Sequence, residues 1–143
     1  NEISAALGLS QLKKVKKLIS QRNKIANFYM KNLNSNFILL PQKRKEFYSS
    51  FHLYIIKIKS KNYKFLQKKL FRILRNNNFF VQVHYLPVHL QPFYRERFNF
   101  KNKDFKQATK HAESSISIPI FPGLRKKMLI KICKLINKFF EVN

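Results

Sequence analysis

Residues 81–94, VQVHYLPVHLQPFY, bring two histidines, two prolines, two tyrosines and two glutamines into one non-repeating stretch. A strand over residues 79–84 is expected to run into it. Pro87-Val88 lies between His84 and His89. Proline lacks an N–H and turns its predecessor, Leu86, away from helical angles, so an extended, helix-free path is expected here. The imidazoles and the Tyr85 phenol are then held on a bent loop at a strand end, where sites are commonly built.

Upstream, Ser60 is placed to cap a helix that carries Tyr63, Leu66, Leu70, Ile73 and Leu74 inward. Asn76, Asn77 and Asn78 end it, asparagine being the best non-glycine occupant of a left-handed turn. Residues 52–59 alternate as a strand through Leu53, Ile55 or Ile56, and Ile58, and residues 37–40 are a short apolar run closed by Pro41. Further back, Leu12, Val15, Leu18, Ile19, Ile25, Ala26, Tyr29, Met30 and Leu33 follow a helical rhythm. They describe one long amphipathic helix ending near Asn34, with lysines on its other face. Downstream, Asp104 is placed to cap a short helix through Ala112, and residues 117–121 read as an extended, proline-punctuated link. Met128, Leu129, Ile132, Leu135, Ile136, Phe139 and Phe140 make a last amphipathic helix. About three strands packed with helices, after one long helix, is an α+β layer.

Composition sets the class. The 143 residues are 45% hydrophobic and 15% aromatic, which suits one packed core and excludes a disordered chain. No apolar run approaches the ~18 residues of a membrane span and no signal-peptide pattern opens the chain, so a cytoplasmic location is expected. Cys133 is the sole cysteine, which excludes a disulfide framework and a cysteine pair for zinc, and it reads as helix packing. With Gly8 and Gly123 the only glycines, no Gly-rich phosphate cradle can be assembled. The formal charge of +24 suggests a polyanionic partner. Yet the lysines are spread through 13–17, 43–45, 57–69, 101–110 and 126–138, and no zinc-finger, RNP-type or helix-turn-helix pattern accompanies them. A solvated face is the default for such runs, so nucleic acid is not the expected partner. The opening NEISAAL has Ile3, Leu7 and Leu9 already in rhythm, and reads as a piece of something longer.

Four landmarks in order carry a family resemblance: NEISAALGLSQL (1–12) with QRNKIANFY (21–29) in the same helix, SSFHLYII (49–56), VHYLPVHLQPFY (83–94) and SISIPIFPGL (115–124). Together they resemble the C-terminal part of the DegT/DnrJ/EryC1/StrS sugar aminotransferases, over essentially the whole chain. The resemblance implies the small C-terminal α+β domain of the aspartate aminotransferase fold type over residues 36–143. Residues 1–35 would be a long helix connecting to a large domain absent from this sequence. It also implies pyridoxal phosphate as cofactor, a homodimer, and amino transfer from L-glutamate to a nucleotide sugar. Within the family, the combination Gln82, His84, Tyr85, Pro87, Val88, His89, Leu90, Gln91, Pro92 and Tyr94 is most similar to one branch. That branch aminates a UDP-linked 4-keto-6-deoxy sugar in pseudaminic acid biosynthesis.

Departures from the family pattern bear on activity. The lysine that carries the cofactor and the aspartate facing its pyridinium nitrogen lie upstream of Asn1 in the family. Asn78 stands where glycine is common. Residues 124–127, LRKK, replace a threonine and acidic start, which puts positive charge at the positive end of the last helix. Thirty Lys and Arg residues do not substitute for the missing lysine, because a lysine becomes a nucleophile only where burial or neighbours lower its pKa. The isolated chain is therefore expected to be catalytically silent.

The resemblance and the loop position make His84 and His89 the candidate partners for sugar hydroxyls or diphosphate. Tyr85, Gln91 and Tyr94 stand beside them, and His52 on the neighbouring strand. His84 equally reads as a strand residue that satisfies a buried backbone carbonyl. Residues 94–97, YRER, offer cations to a diphosphate or form an exposed face. Two histidines without a nearby carboxylate or thiol leave a metal ligand set incomplete. A basic nucleic-acid-binding module and a degenerate stand-alone interaction domain remain as other readings. The uncovered apolar stripe of the first helix leads to an expectation of instability for the chain alone.

Overall fold

The helical rhythm of the first third winds into a single helix, α1 (Glu2–Asn32), opened by the Asn1 side chain, which accepts the Ser4 N–H at 2.9 Å. A computed structural model of the chain describes residues 1–42 and 46–143, and the basic run at 43–45 lies outside the described residues. After α1 come β1 (Ile38–Leu39), β2 (Tyr54–Ile58), α2 (Tyr63–Asn76), a 3₁₀ turn (Val88–Leu90), α3 (Pro92–Phe98), α4 (Lys106–Ser114), β3 (Ser115–Ile118) and α5 (Lys126–Glu141). The strands form one antiparallel sheet in the order β1-β2-β3, with Ile38 opposite Ile58 and Tyr54 opposite Ile118. The expected α+β class is the one found. No helix among the described residues is long and apolar enough to cross a membrane.

Burial alternates along β2, where Tyr54, Ile56 and Ile58 are buried and Ile55 and Lys57 half-buried. The buried set joins one apolar cluster with Ile25, Ala26 and Tyr29 of α1, Leu66, Leu70 and Leu74 of α2, and Ile132, Ile136 and Phe139 of α5. Each such side chain contributes roughly 1.5–3 kcal/mol on burial, so this cluster fixes how the helices sit on the sheet. Tyr29 adds direction, its hydroxyl donating to the Pro119 carbonyl at 2.7 Å and tying α1 to the chain beyond β3.

The third strand is not at residues 79–84. The Phe79 N–H turns back to the Leu74 carbonyl and the Val81 N–H to the Phe79 carbonyl, both at 3.0 Å, so this stretch is pinned to the end of α2. Gln82 alone pairs, exchanging both backbone hydrogen bonds with Ser117 along the edge of β3 that β2 leaves open. The strand is SISI at 115–118, whose last two residues the sequence reads as the start of a link. Pro119 and Pro122 follow it and end it rather than interrupt it, and all four of its residues are buried.

Three smaller expectations are also corrected. Pro87 does not keep helix out of the loop: a 3₁₀ turn starts directly after it, and Pro92 opens α3, where a missing N–H costs nothing. The Asp104 carboxylate accepts the Lys101 N–H at 2.8 Å, which leaves α4 to start behind Phe105 without a side-chain cap. Ser60 accepts the Asn62 N–H at 3.1 Å, and Asn62 is the residue at the α2 N-cap. Asn78 does take the left-handed turn, at φ 63°.

Candidate functional site

The loop after α2 lies between β3 and α4, and its residues divide between those two anchors. Gln82 clamps the loop's root to Ser117, which sets His84 beside the same residue with Nδ1 2.7 Å from the Ser117 Oγ. His84 is half-buried, and its ring meets that of Tyr85 edge-on at 4.6 Å. Tyr85 itself is 70% exposed.

His89 turns the other way. It is 7% exposed, packed against the Phe105 ring at 4.7 Å, with Nε2 3.3 Å from the Thr109 Oγ1. Thr109 spends its only hydroxyl proton on the Asn102 carbonyl at 3.0 Å, so it can only accept from His89, and His89 Nε2 must carry the proton. Gln91 donates from Nε2 to the Leu86 carbonyl at 3.3 Å and closes the loop on itself. Tyr94 is on α3 between Phe93 and Phe98, with ring centroids 5.3 and 6.4 Å away.

His52 has a different neighbour. It is exposed on the turn before β2, where the Arg22 Nη1 stands 3.4 Å from its Nδ1 and also reaches the carbonyls of Phe51 and His52. A guanidinium only donates, so His52 Nδ1 accepts and, in the neutral ring, the proton is on Nε2. The structure thus joins His84 to Tyr85 and fastens His89 and Gln91 into the loop, while His52 sits with α1.

Beneath the loop opens a cleft of ≈ 520 Å³. Tyr85, Leu86 and Leu90 line it from the loop, Lys64 and Lys68 from α2, and Thr109 and Glu113 from α4. Lys64 and Glu113 pair across it at 2.5 Å. The hydrogen bond and charge of Glu113 hold the Lys64 ammonium above the ordinary lysine range. Sequence reading passed over this pair, because 49 residues separate its members and each is an ordinary surface position of its own helix. His111, also on α4, is pushed down, first by burial and then by the charge of Lys57. Among the described residues, no three of His, Cys, Asp or Glu gather as a metal site would need.

The model of the DegT/DnrJ/EryC1/StrS aminotransferase family matches residues 1–137. The chain is 32% identical over 145 residues to the UDP-4-amino-4,6-dideoxy-N-acetyl-beta-L-altrosamine transaminase of Helicobacter pylori, covering 99% of this chain and 37% of that protein. It is 32% identical over 140 residues to the GDP-perosamine synthase of Escherichia coli O157:H7, covering 97% and 36%. Among solved structures it matches Helicobacter pylori PseC, an aminotransferase involved in the biosynthesis of pseudoaminic acid. The TM-score there is 0.88 at 30% identity, over 100% of this chain and 38% of that one. The chain spans little more than a third of the length of each of these proteins.

Proposed function

This chain belongs to the DegT/DnrJ/EryC1/StrS aminotransferase family, and from that premise we propose that it is the C-terminal, substrate-facing portion of a pyridoxal-phosphate aminotransferase. The reaction is transfer of an amino group from L-glutamate to a UDP-linked 4-keto-6-deoxy sugar, in the cytoplasm and by a homodimer. Residues 1–35 are the connecting helix and residues 36–143 the small α+β domain. What carries the reading is the 32% identity, over 99% of the chain, to a transaminase named for a UDP-linked amino sugar. The equally similar GDP-perosamine synthase makes the nucleotide the point to test.

The loop residues supply binding and orientation. Ser117 engages His84 at Nδ1, which leaves Nε2 for a sugar hydroxyl or a phosphate oxygen, and Tyr85 offers its exposed phenol beside it. His89 and Gln91 act by holding the loop, through Thr109 and the Leu86 carbonyl. Tyr94 on α3 adds a phenol to the same stretch, and His52 presents its Nε2 proton as a donor.

Pyridoxal phosphate, when bound, supplies the electron sink for amino transfer. The described residues do not fit its covalent attachment. A lysine that condenses with an aldehyde is desolvated until its amine is neutral, whereas no described lysine is buried and Lys64 is held charged by Glu113.

The test is a titration of the isotope-labelled chain with a UDP-linked 4-keto-6-deoxy sugar, with its GDP-linked counterpart in parallel. The His84 and Tyr85 signals should move with the UDP sugar, and glutamate should stay unconverted when pyridoxal phosphate is added. Stronger shifts with the GDP sugar would reassign the nucleotide. Silence at both residues with both sugars, or glutamate turnover by this chain alone, would overturn the reading.

A further inference from the structure

The sequence spreads its lysines over the chain, but α5 gathers four of them into a line. Lys127, Lys131, Lys134 and Lys138 follow one another at the spacing of a single helix face, and all four are exposed. At a rise of about 1.5 Å per residue the row is roughly 16 Å long. Leu129, Ile132 and Ile136 bury the opposite face, so the row is held rigidly by the core. Among the described residues the ion pair formed is that of Lys64 with Glu113, on other helices. The charges of the row therefore meet no carboxylate there.

Two features beside the row narrow what fits it. A shallow hollow of ≈ 470 Å³ follows the lysines, floored by Met128, Ile130 and Leu135. Next to it, the Lys131 Nζ lies 5.6 Å from the Phe79 ring, and the following residue, Phe80, is 80% exposed with the Arg75 guanidinium 5.2 Å from its ring. Spaced ammonium groups over an apolar floor thus stand against Phe79, and the next residue along the chain offers an open ring backed by a cation. Single-stranded nucleic acid has the matching parts, a line of phosphates for the lysines and flat bases for Phe80. A bilayer of anionic headgroups matches the charge, but the apolar face that an interfacial helix would bury in it is already packed into the core.

We propose that the outer face of α5, together with the neighbouring Phe80, is a binding surface for single-stranded nucleic acid. It is independent of the amino-transfer reading. Four lysine–phosphate contacts to a single strand give a log–log salt slope of about −2.8, or a loss of affinity of roughly 50-fold between 50 and 200 mM salt.

The experiment uses the whole chain and a short fluorescent oligouridylate, read by anisotropy across salt. Replacing Lys127, Lys131, Lys134 and Lys138 together by glutamine should remove most of that slope. The same four changed to arginine should keep it. Changing Lys13, Lys14, Lys16 and Lys17 to glutamine, an equal charge loss on α1, should leave most of the affinity. Phe80→Ala should weaken binding roughly tenfold at unchanged slope, as expected for one lost base stack. Equal losses in the two glutamine variants would reduce the binding to net charge and overturn the proposal, as would an unaffected Phe80→Ala. Phosphatidylserine vesicles tested in parallel decide the remaining source. Row-dependent binding to vesicles but not to the oligonucleotide would also overturn it.

Discussion

Two tyrosines meet in the core with ring centroids 5.0 Å apart, and their hydroxyls differ in one respect that decides how each tolerates change. Tyr29 donates to Pro119, whereas the Tyr54 hydroxyl is buried with no hydrogen-bond partner among the described residues. Tyr54→Phe should therefore be neutral or stabilising by about 1 kcal/mol, while Tyr29→Phe should cost about 1–2 kcal/mol by leaving a carbonyl unpaired. Urea denaturation of the two variants checks the difference. Both phenols titrate above the ordinary tyrosine range, first because of burial and then through the neighbouring Cys133, and burial pushes the Cys133 thiol up to about 11. Raised pKa values in the folded state mean that the unfolded chain releases these protons first. Their contribution is then complete below about pH 9 and is lost as pH climbs through the folded values. Melting temperature should fall steadily above pH 9, less steeply in Tyr54→Phe, and a flat alkaline limb would contradict this account. The candidate loop shows the limit of sequence at this scale. The residue types at 84–94 were legible as a cluster, but the inward turn of His89 depends on Thr109 and Phe105, which no local pattern connects to it.

Elements whose signal is their own periodicity were legible. The helices α1, α2 and α5 fall where the apolar rhythm puts them, since each needs only one stripe of a cylinder to face the core. The third strand was not legible, because Phe79 and Val81 look like strand residues whose backbone is claimed by the end of α2. SISI, four residues before a proline, is too short to announce itself. The unfavourable start of α5 was legible and is present: Arg125 occupies the N-cap with no side-chain bond, followed by Lys126 and Lys127, with no acid in the first turn. Exposed N–H groups and a positive dipole end favour an oxygen acceptor there. Arg125→Asp should thus stabilise the chain by about 1–2 kcal/mol, from a cap hydrogen bond together with the reversed charge. Arg125→Ala separates the two parts, removing the repulsion without adding the cap, and should give only a few tenths. Thermal melts of both variants at low and high salt would sort the contributions, because only the charge part is screened.

The whole molecule is divided between a helix end that the core holds and one that it does not. From Asn23 onward α1 contributes Ile25, Ala26 and Tyr29 to the core, but residues 1–17 are exposed throughout, with Ile3, Leu7 and Leu12 at 82%, 61% and 65%. A stretch of that length draws no stability from packing and is marginal as a helix by itself in water. Ile3 and Leu7, one turn apart, and Leu9 and Leu12, one turn apart on another side of the helix, also leave open apolar groups that favour association. Amide hydrogen exchange should therefore show two regimes along one continuous helix. Residues 2–15 should exchange through local fraying, and residues 23–32 only through opening of the core cluster. Changing Ile3, Leu7 and Leu12 together to lysine should suppress concentration-dependent scattering while moving the melting temperature by less than about 2 °C, because these side chains stay mostly exposed in the folded chain. Uniform protection from Glu2 to Asn32 in a soluble monomer would mean that the first half is stabilised by something other than the core, and the division would fail.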